Sequence, residues 1–457
     1  MSDIYIDNSW PDAYVDTVTV DETDEVTDVD ASLNVNDIIQ IGIGGVTQTY
    51  EISTVGTDTL TVDRNVHDTG VASLFYLPNM DGSETYPYPL IQMGLDEMDC
   101  VSSDVNIHIK HGEYVFDYTD QLPNQLDTSG EGDGLKNWTS KVEGYHTVLG
   151  DMRRAETYYQ SPMNALINGI DASKIVTLDG SGLAYILEIS GHDYLIFKNI
   201  HFTGCLNDAI LCSSTPQYVL FDHCFFTDCR NIISGLNTQF EFRDCFIQDL
   251  TYTAANYTFN FTNTTVGHKI IGCVIDIGNR TNWGAIVTSG STATIGGGML
   301  IDNIIIGGLY PSLARPGDLV RGNIFYGSVN GYRFDMASSV RLAVTVQNNI
   351  FLGSIASDYG ILMAGAGYVR NSHNCFWAAS GEKLTYPVRH TDGGTIALGD
   401  GSIEADPLFA DAANGDFRLL PESPCHNMGL ANLYEGYDSI GPVNRKSMLG
   451  EIANARN

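Results

Sequence analysis

Between residues 194 and 380 the chain repeats itself, and this constrains its fold more than any other feature. The segments YLIFKNIHFTGC, YVLFDHCFFTDC, QFEFRDCFIQDL, HKIIGCVIDIG, LIDNIIIGG, LVRGNIFYGS, TVQNNIFLGS and SHNCFWAAS align on the pivots Ile200, Cys224, Cys245, Cys273, Asn303, Asn323, Asn349 and Asn374. The pivots are spaced by 24, 21, 28, 30, 20, 26 and 25 residues. Two residues after them stand Phe202, Phe226, Ile247, Ile275, Ile305, Phe325, Phe351 and Phe376, large and apolar in every case. A period of this length with variable inserts predicts a solenoid whose rungs stack like residues on like.

The rungs read as short strands. They are runs of four to six β-branched and aromatic residues punctuated by Gly, Asn and Asp, with no amphipathic stretch long enough for a helical repeat. Leucine-rich repeats are excluded as well, because the recurring columns carry Phe, Ile, Cys and Asn. Parallel stacking would line up Cys224, Cys245 and Cys273, then Asn303, Asn323, Asn349 and Asn374. Asparagines stacked in this way can hydrogen-bond from rung to rung. Two residues before the first pivots, Lys198, Asp222 and Arg243 form an outer column of alternating sign, expected to be a solvated ion-pair face.

Charge narrows the partners. With 56 acidic and 23 basic residues the chain carries −33, too few clustered cations for a phosphate backbone, so nucleic acid is not expected to bind. Asp outnumbers Glu 40 to 16 and Lys occurs 8 times, which fits either a saline habitat or simply many Asp-rich turns. No apolar run is long enough to span a bilayer, and MSDIYIDNSW has neither a basic n-region nor an apolar h-region, so no secretory signal is expected there. Nine cysteines without a CxxC argue against a disulfide framework or a zinc site and for buried, reduced thiols.

The repeat resembles the right-handed parallel β-helix, or pectate-lyase-like, superfamily. YPYPLIQMGLDEM (86–98) resembles the amphipathic helix that caps such solenoids, with Leu90, Ile91, Leu95 and Met98 on one face. VNIHIKHGEYVF (105–116) is similar to a first rung, and EADPLFADAANGDFRLLPESPCHNMG (404–429) to a closing rung. DSIGPVNRKSMLGEI (438–452) resembles the terminal strand pair, with the usual Asp-x-Gly before the Arg altered. DIYIDNSW (3–10) resembles a lead strand, and NDIIQIG, TQTYEIS, DTLTVDR and HDTGVASLF resemble small β modules of tailed-virus structural proteins.

The expected class is all-β: a right-handed parallel β-helix solenoid of about a dozen rungs, with a small N-terminal β-barrel or sandwich module. The divisions are 1–30 (strand and acidic linker), 31–80 (β module, the virion anchor), 81–430 (β-helix with its capping helix) and 431–457 (C-terminal cap or tail). DETDEVTDVD (21–30) reads as solvated linker, with calcium left open.

No active site can be named: no catalytic, cofactor-binding or metal-ligating residue is assigned and no cofactor is implied. Asp244 and Asp302 share the column before the pivot two rungs apart, and Asp222 lies among basic neighbours. Arg321, Arg333 and Arg341 have no catalytic motif around them, and His201, His223 and His373 read as turn or core histidines. Sequons at Asn137, Asn256, Asn260, Asn263 and Asn279 are attributed to an Asn/Thr-rich composition. Three of them crowd the insert YTAANYTFNFTNTTVGHK, which with TNWGAIVTSGSTATIGGG and LYPSLARPG lengthens one flank, where binding is expected.

The functional expectation is a virion-surface structural protein of a tailed virus (spike, fibre or capsid decoration), assembled in the host cytoplasm. It would contact other virion proteins through the N-terminal module and a host-surface glycan or receptor through the solenoid. The resemblance implies a homotrimer, without membrane insertion. The alternative is a polysaccharide lyase or glycoside hydrolase, freestanding or as a tailspike depolymerase, with Tyr252, Tyr257, Trp283 and Tyr310 lining a groove. A cell-surface adhesin is a third reading, disfavoured by the N-terminus.

Overall fold

The computed structural model describes strands within residues 2–77 and the rungs between 105 and 426. Residues 28–37, 78–104, 116–125, 128–139, 146–159, 249–258, 263–267, 279–285, 290–297, 336–342, 427–457 and several other short segments lie outside the described residues. Three faces of parallel strands build the solenoid. Sheet I has eleven strands, from β1 (Ser2–Ile6) to Tyr368–Ser372, and sheet II has ten, from Gly112–Val115 to Cys375–Ala378. Sheet III is six strands from Leu126–Asp127 to Ile286–Ser289, and four more from Leu313–Ala314 to Tyr386–His390 form the sheet after it. Among the described residues the eleven strands of sheet I set the stack at about 48 Å for a spacing near 4.8 Å.

β1 pairs in parallel with Val105–Lys110, so the lead strand belongs to the solenoid and the module between them is an insertion. That module is a closed barrel of β2 (Ala13–Asp21), β3 (Glu25–Thr27), β4 (Ile38–Ile43), β5 (Val46–Val55), β6 (Thr59–Val62) and β7 (Thr69–Leu77). It recruits two strands from the stretch read as strand and acidic linker. The Thr17–Val18–Thr19–Val20 alternation is strand-like, and β3 pairs with both β2 and β6 despite its acids. The capping helix expected over 86–98 and the terminal pair over 438–452 fall outside the described residues.

Rungs turn from sheet I to sheet II at the pivot. The residue before each pivot is left-handed throughout: Asn199, His223, Asp244, Gly272, Asp302, Gly322, Asn348 and His373 have φ between 50° and 70°. This explains why Asn, Asp, Gly and His fill that column. The pivot side chain then donates to the carbonyl three residues before the pivot of the preceding rung. Cys224, Cys245 and Cys273 reach Phe197, Phe221 and Phe242 at 3.4–3.6 Å. Asn303, Asn323, Asn349 and Asn374 reach Ile270, Leu300, Val320 and Val346 at 2.8–3.0 Å. Each of the first three asparagines also donates Nδ2 to the Oδ1 of the next, at 2.9–3.0 Å, so the ladder is continuous and fully buried. Two residues on, the inward column is sealed, and its rings stack: Phe202 on Phe226 at 5.1 Å, Phe325 on Phe351 at 4.9 Å, Phe351 on Phe376 at 5.2 Å.

The residue one after the pivot points outward, yet Phe225, Phe246, Val274, Ile304, Ile324, Ile350 and Cys375 are all buried. They form a second core outside sheet II, roofed by helix α1 (Pro162–Asn168) and by residues 403–425. Ser161 caps α1 by accepting from Asn164 N, Pro162 opens it, and Met163 and Ala165 are buried. Residues 404–426, expected as a closing rung, instead form a hairpin clasp on this face. Ile403 bridges to Cys375, Phe417 packs edge-on against Tyr326 at 5.2 Å, and Gly415 at the tip meets Leu166 and Ile167 of α1. The chain then returns to Cys425 in the same cluster.

Cys205 and Cys229 are disulfide-bonded, which corrects the expectation of reduced thiols throughout. Both stand five residues after their pivots, so stacking brings their Cα atoms to 4.8 Å, within bridging range. Cys212, Cys224, Cys245, Cys273, Cys375 and Cys425 are free and buried. Among the described residues no helix is long and apolar enough to cross a membrane.

Candidate functional site

Sheet II is roofed, whereas the outside of sheet I carries polar side chains. Alternation turns Val142, Phe197, Phe221, Phe242, Ile270, Leu300 and Val320 inward and leaves two columns outside. One runs Lys141, Ile196, Leu220, Glu241, Lys269, Met299, Leu319, Thr345 and Arg370. The other runs Glu143, Lys198, Asp222, Arg243, Ile271, Ile301, Arg321 and Gln347. Six of the chain's 23 cations stand here against three carboxylates, a local excess of positive charge on a chain of −33.

The alternating column is ion-paired at Lys198 Nζ, 3.7 Å from Asp222, but Asp222 is buried rather than solvated and Arg243 pairs with Glu241 of the neighbouring column instead. Its centre is a network that sequence reading missed. Glu241 is almost wholly buried and accepts from Tyr218 Oη at 2.7 Å, Lys269 Nζ at 3.1 Å and the Arg243 guanidinium. Burial opposes its ionisation, but these three donors outweigh burial and hold the carboxyl below its usual range. Burial and the same carboxylate push the Tyr218 hydroxyl up. Glu241 is therefore a fixed anion that orients Arg243 and Lys269 toward solvent. The signal was present: Glu241 stands two residues before Arg243 on one strand, hence on the same face. Beyond it Ile271, Met299, Ile301 and Leu319 form an apolar strip, ended by Arg321.

The other candidates do not converge. His201 lies on the outside of sheet II, with Nε2 2.8 Å from Thr227 Oγ1 and Nδ1 3.4 Å from Thr177 Oγ1. Burial pushes its imidazole down to about 4, so it is neutral. His223 and His373 are left-handed turn residues, and His223 Nδ1 meets Asp222 Oδ1 at 2.5 Å. Asp244 and Asp302 occupy the same turn column, and Asp302 is buried. Arg321 belongs to the sheet I face. The backbone of Arg333 lies in Asn330–Asp335 and that of Asn260 in Phe259–Thr262, but their side chains are not described. Arg341, Tyr252, Tyr257, Trp283, Tyr310 and the sequons at Asn137, Asn256, Asn263 and Asn279 lie outside the described residues. Among the described residues no group of three His, Cys, Asp or Glu could hold a metal ion.

No protein-family profile matches the chain, and no curated protein matches it. Solved structures do. Pectate lyase Pel9A is similar over 80% of this chain and 93% of its own, at 11% identity and a TM-score of 0.45. The tailspike of Pseudomonas phage phi297 is similar over 90% of this chain and 67% of its own, at 10% identity and a TM-score of 0.23. The tailspike of Acinetobacter baumannii bacteriophage AP22, solved in complex with capsular saccharide, is similar over 87% of this chain and 63% of its own, at 9% identity and a TM-score of 0.20. Its stacked parallel faces, its left-handed turn column and its pivot ladder make the chain a parallel β-helix.

Proposed function

We propose that this chain is an exposed structural protein of a tailed-virus particle, a spike, fibre or capsid decoration, whose solenoid holds host-surface glycan on the outside of sheet I. The observation that carries the reading is the face itself: cations fixed by Glu241 and Asp222 beside the strip of Ile271, Met299, Ile301 and Leu319. A sugar chain presents apolar C–H surface and hydroxyl or carboxylate oxygens, and such a face offers partners for both. The resemblance of the barrel to tailed-virus modules supports the particle setting. In this reading the barrel faces other virion proteins, and three copies assemble.

Binding fits the face better than cleavage does. Asp222, Glu143 and Glu241 are all ion-paired, and Glu241 is held ionised, so none is poised to donate a proton to a glycosidic oxygen. The test has two readouts on the purified full chain. Calorimetry with uronate-containing host polysaccharide should show salt-sensitive binding that Lys269→Ala weakens at least tenfold, with no new reducing ends or unsaturated sugars. Turnover would replace the binding reading with the depolymerase one, and absence of the chain from purified particles by mass spectrometry would remove the virion assignment.

A further inference from the structure

Arg389 is held by aromatic rings instead of by an acid. It follows Val388, which is sealed in the core, so alternation turns it outward from the strand Tyr386–His390, beside Leu362 of the neighbouring strand Tyr359–Ala364. Tyr359 and Tyr386 are paired across the same two strands, with their rings stacked at 5.5 Å and 22°. The guanidinium lies over both rings, its Cζ 4.2 Å from the Tyr386 centroid and 5.3 Å from that of Tyr359. Arg389 Nη1 also donates to Tyr359 Oη at 2.9 Å, which fixes the plane of the group.

Among the described residues no carboxylate pairs with it, on a chain that carries 56 acids. The acid before Tyr359 and the acid three residues after Arg389 are engaged elsewhere. Asp358 is buried and accepts from Ser354 N and Ile355 N at 2.7 and 3.0 Å, and Asp392 pairs with His390. Arg243 and Arg418, by contrast, each pair with a carboxylate two residues earlier on the same strand. We propose that Arg389, held by Tyr359 and Tyr386, is an oxyanion site that takes the carboxylate of an acidic sugar. Stacking occupies the flat face of a guanidinium and leaves its N–H edge, whose fork matches the two oxygens of a carboxylate. An acidic polymer is repelled by a chain of −33, so its capture needs a cation that no resident acid has neutralised. The choice of a sugar over another carboxylate rests on the glycan-binding reading above, but the site lies on a different sheet from the face around Glu241.

The test treats the full chain with phenylglyoxal, which adds to guanidinium groups, and reads each arginine by tryptic mass spectrometry. Trypsin does not cut at a modified Arg389, so the peptide 384–418 replaces 384–389 and 390–418. Arg389 should react, and a glucuronate trisaccharide should slow that reaction at least fivefold. The same trisaccharide with its carboxyls reduced to alcohols, and sodium chloride at matched ionic strength, should leave the rate unchanged. In calorimetry Arg389→Lys, which keeps the charge and loses the fork, should weaken binding of the acidic trisaccharide at least fivefold, with or without Lys269→Ala. An Arg389 that does not react in the absence of sugar, equal protection by the reduced trisaccharide or by salt, or unchanged affinity in Arg389→Lys overturns the proposal. Protection of Arg389 with no effect of Lys269→Ala would remove the sheet I reading and leave this site standing; the reverse pattern would remove this site alone. The wild-type protection decides even if a variant does not fold.

Discussion

Replacing Asn323 by Ala tests the ladder at its middle. The side chain is fully buried, and its Oδ1 accepts from both Asn303 N and Asn303 Nδ2 at 2.9 Å. Its Nδ2 donates to Leu300 O at 2.8 Å and to Asn349 Oδ1 at 2.9 Å. Truncation takes the acceptor from Asn303 N and the side-chain donor from Leu300 O, while Asn303 Nδ2 keeps Ile270 O at 2.8 Å. Asn349 Oδ1 fares better, because Asn323 N still reaches it at 3.0 Å. At about 1–3 kcal/mol per orphaned buried group the loss is about 2–6 kcal/mol. That is a large part of the roughly 5–15 kcal/mol of an ordinary domain. Stacked rungs need not unfold in one step, so the assay is hydrogen exchange by mass spectrometry rather than a single melting temperature. A loss of 2 kcal/mol accelerates exchange about thirtyfold, and peptides covering 299–326 should show it first. Cys273→Ala is the control: its sulfur accepts from Cys245 N at 3.4 Å and donates to Phe242 O at 3.6 Å, weaker bonds whose loss should cost less. Exchange within threefold of wild type in Asn323→Ala, or no greater than in Cys273→Ala, would refute the view that the amide ladder holds these rungs together.

Two further outcomes follow from the same geometry. Gly322 has φ of +70°, and a Cβ there would stand 2.1 Å from Asp302 Oδ1, so Gly322→Ala should cost more than about 1 kcal/mol and lower the urea midpoint; an unchanged midpoint would mean that the Asp302 side chain gives way without cost. The Glu241 carboxyl is held below its usual range when folded, so its contribution is complete above the unfolded carboxylate pKa of about 4.3 and lost as pH falls through the lower folded value. Stability of the wild type should therefore fall more steeply below about pH 4.3 than that of Glu241→Gln, and parallel acid titrations would count against the network.

The interior was legible because stacking amplifies it. A position repeated in eight rungs shows its chemistry eight times, which is how the inward column, the asparagine ladder and the outer ion pairs could be read from residues alone. The outside was not, because alternation assumes that one face of a strand meets water. Phe225, Phe246 and Ile304 break that assumption, and what covers them comes from α1 and from residues 403–425, far along the chain. No period links a cover to the column it covers. The Cys205–Cys229 bridge escaped for a related reason: an odd count with no short motif carries no pairing signal, whereas an equal offset from two pivots does. The barrel strands β2 and β3 were hidden because an acid-rich stretch reads as linker until its pairing partners are known.

In a simple stack each rung touches only its neighbours, so it can peel from an end, one layer after another, at little cost per step. The clasp changes that order of events. It lies along the direction of stacking and shares one buried cluster with seven successive outward residues and with a helix inserted early in the stack. The terminal layer cannot leave until this lengthwise tie has lifted, and lifting it uncovers every layer beneath at once. A one-dimensional array thereby acquires the all-or-none response of a globular domain, a useful property for a rod that is pulled or heated from one end.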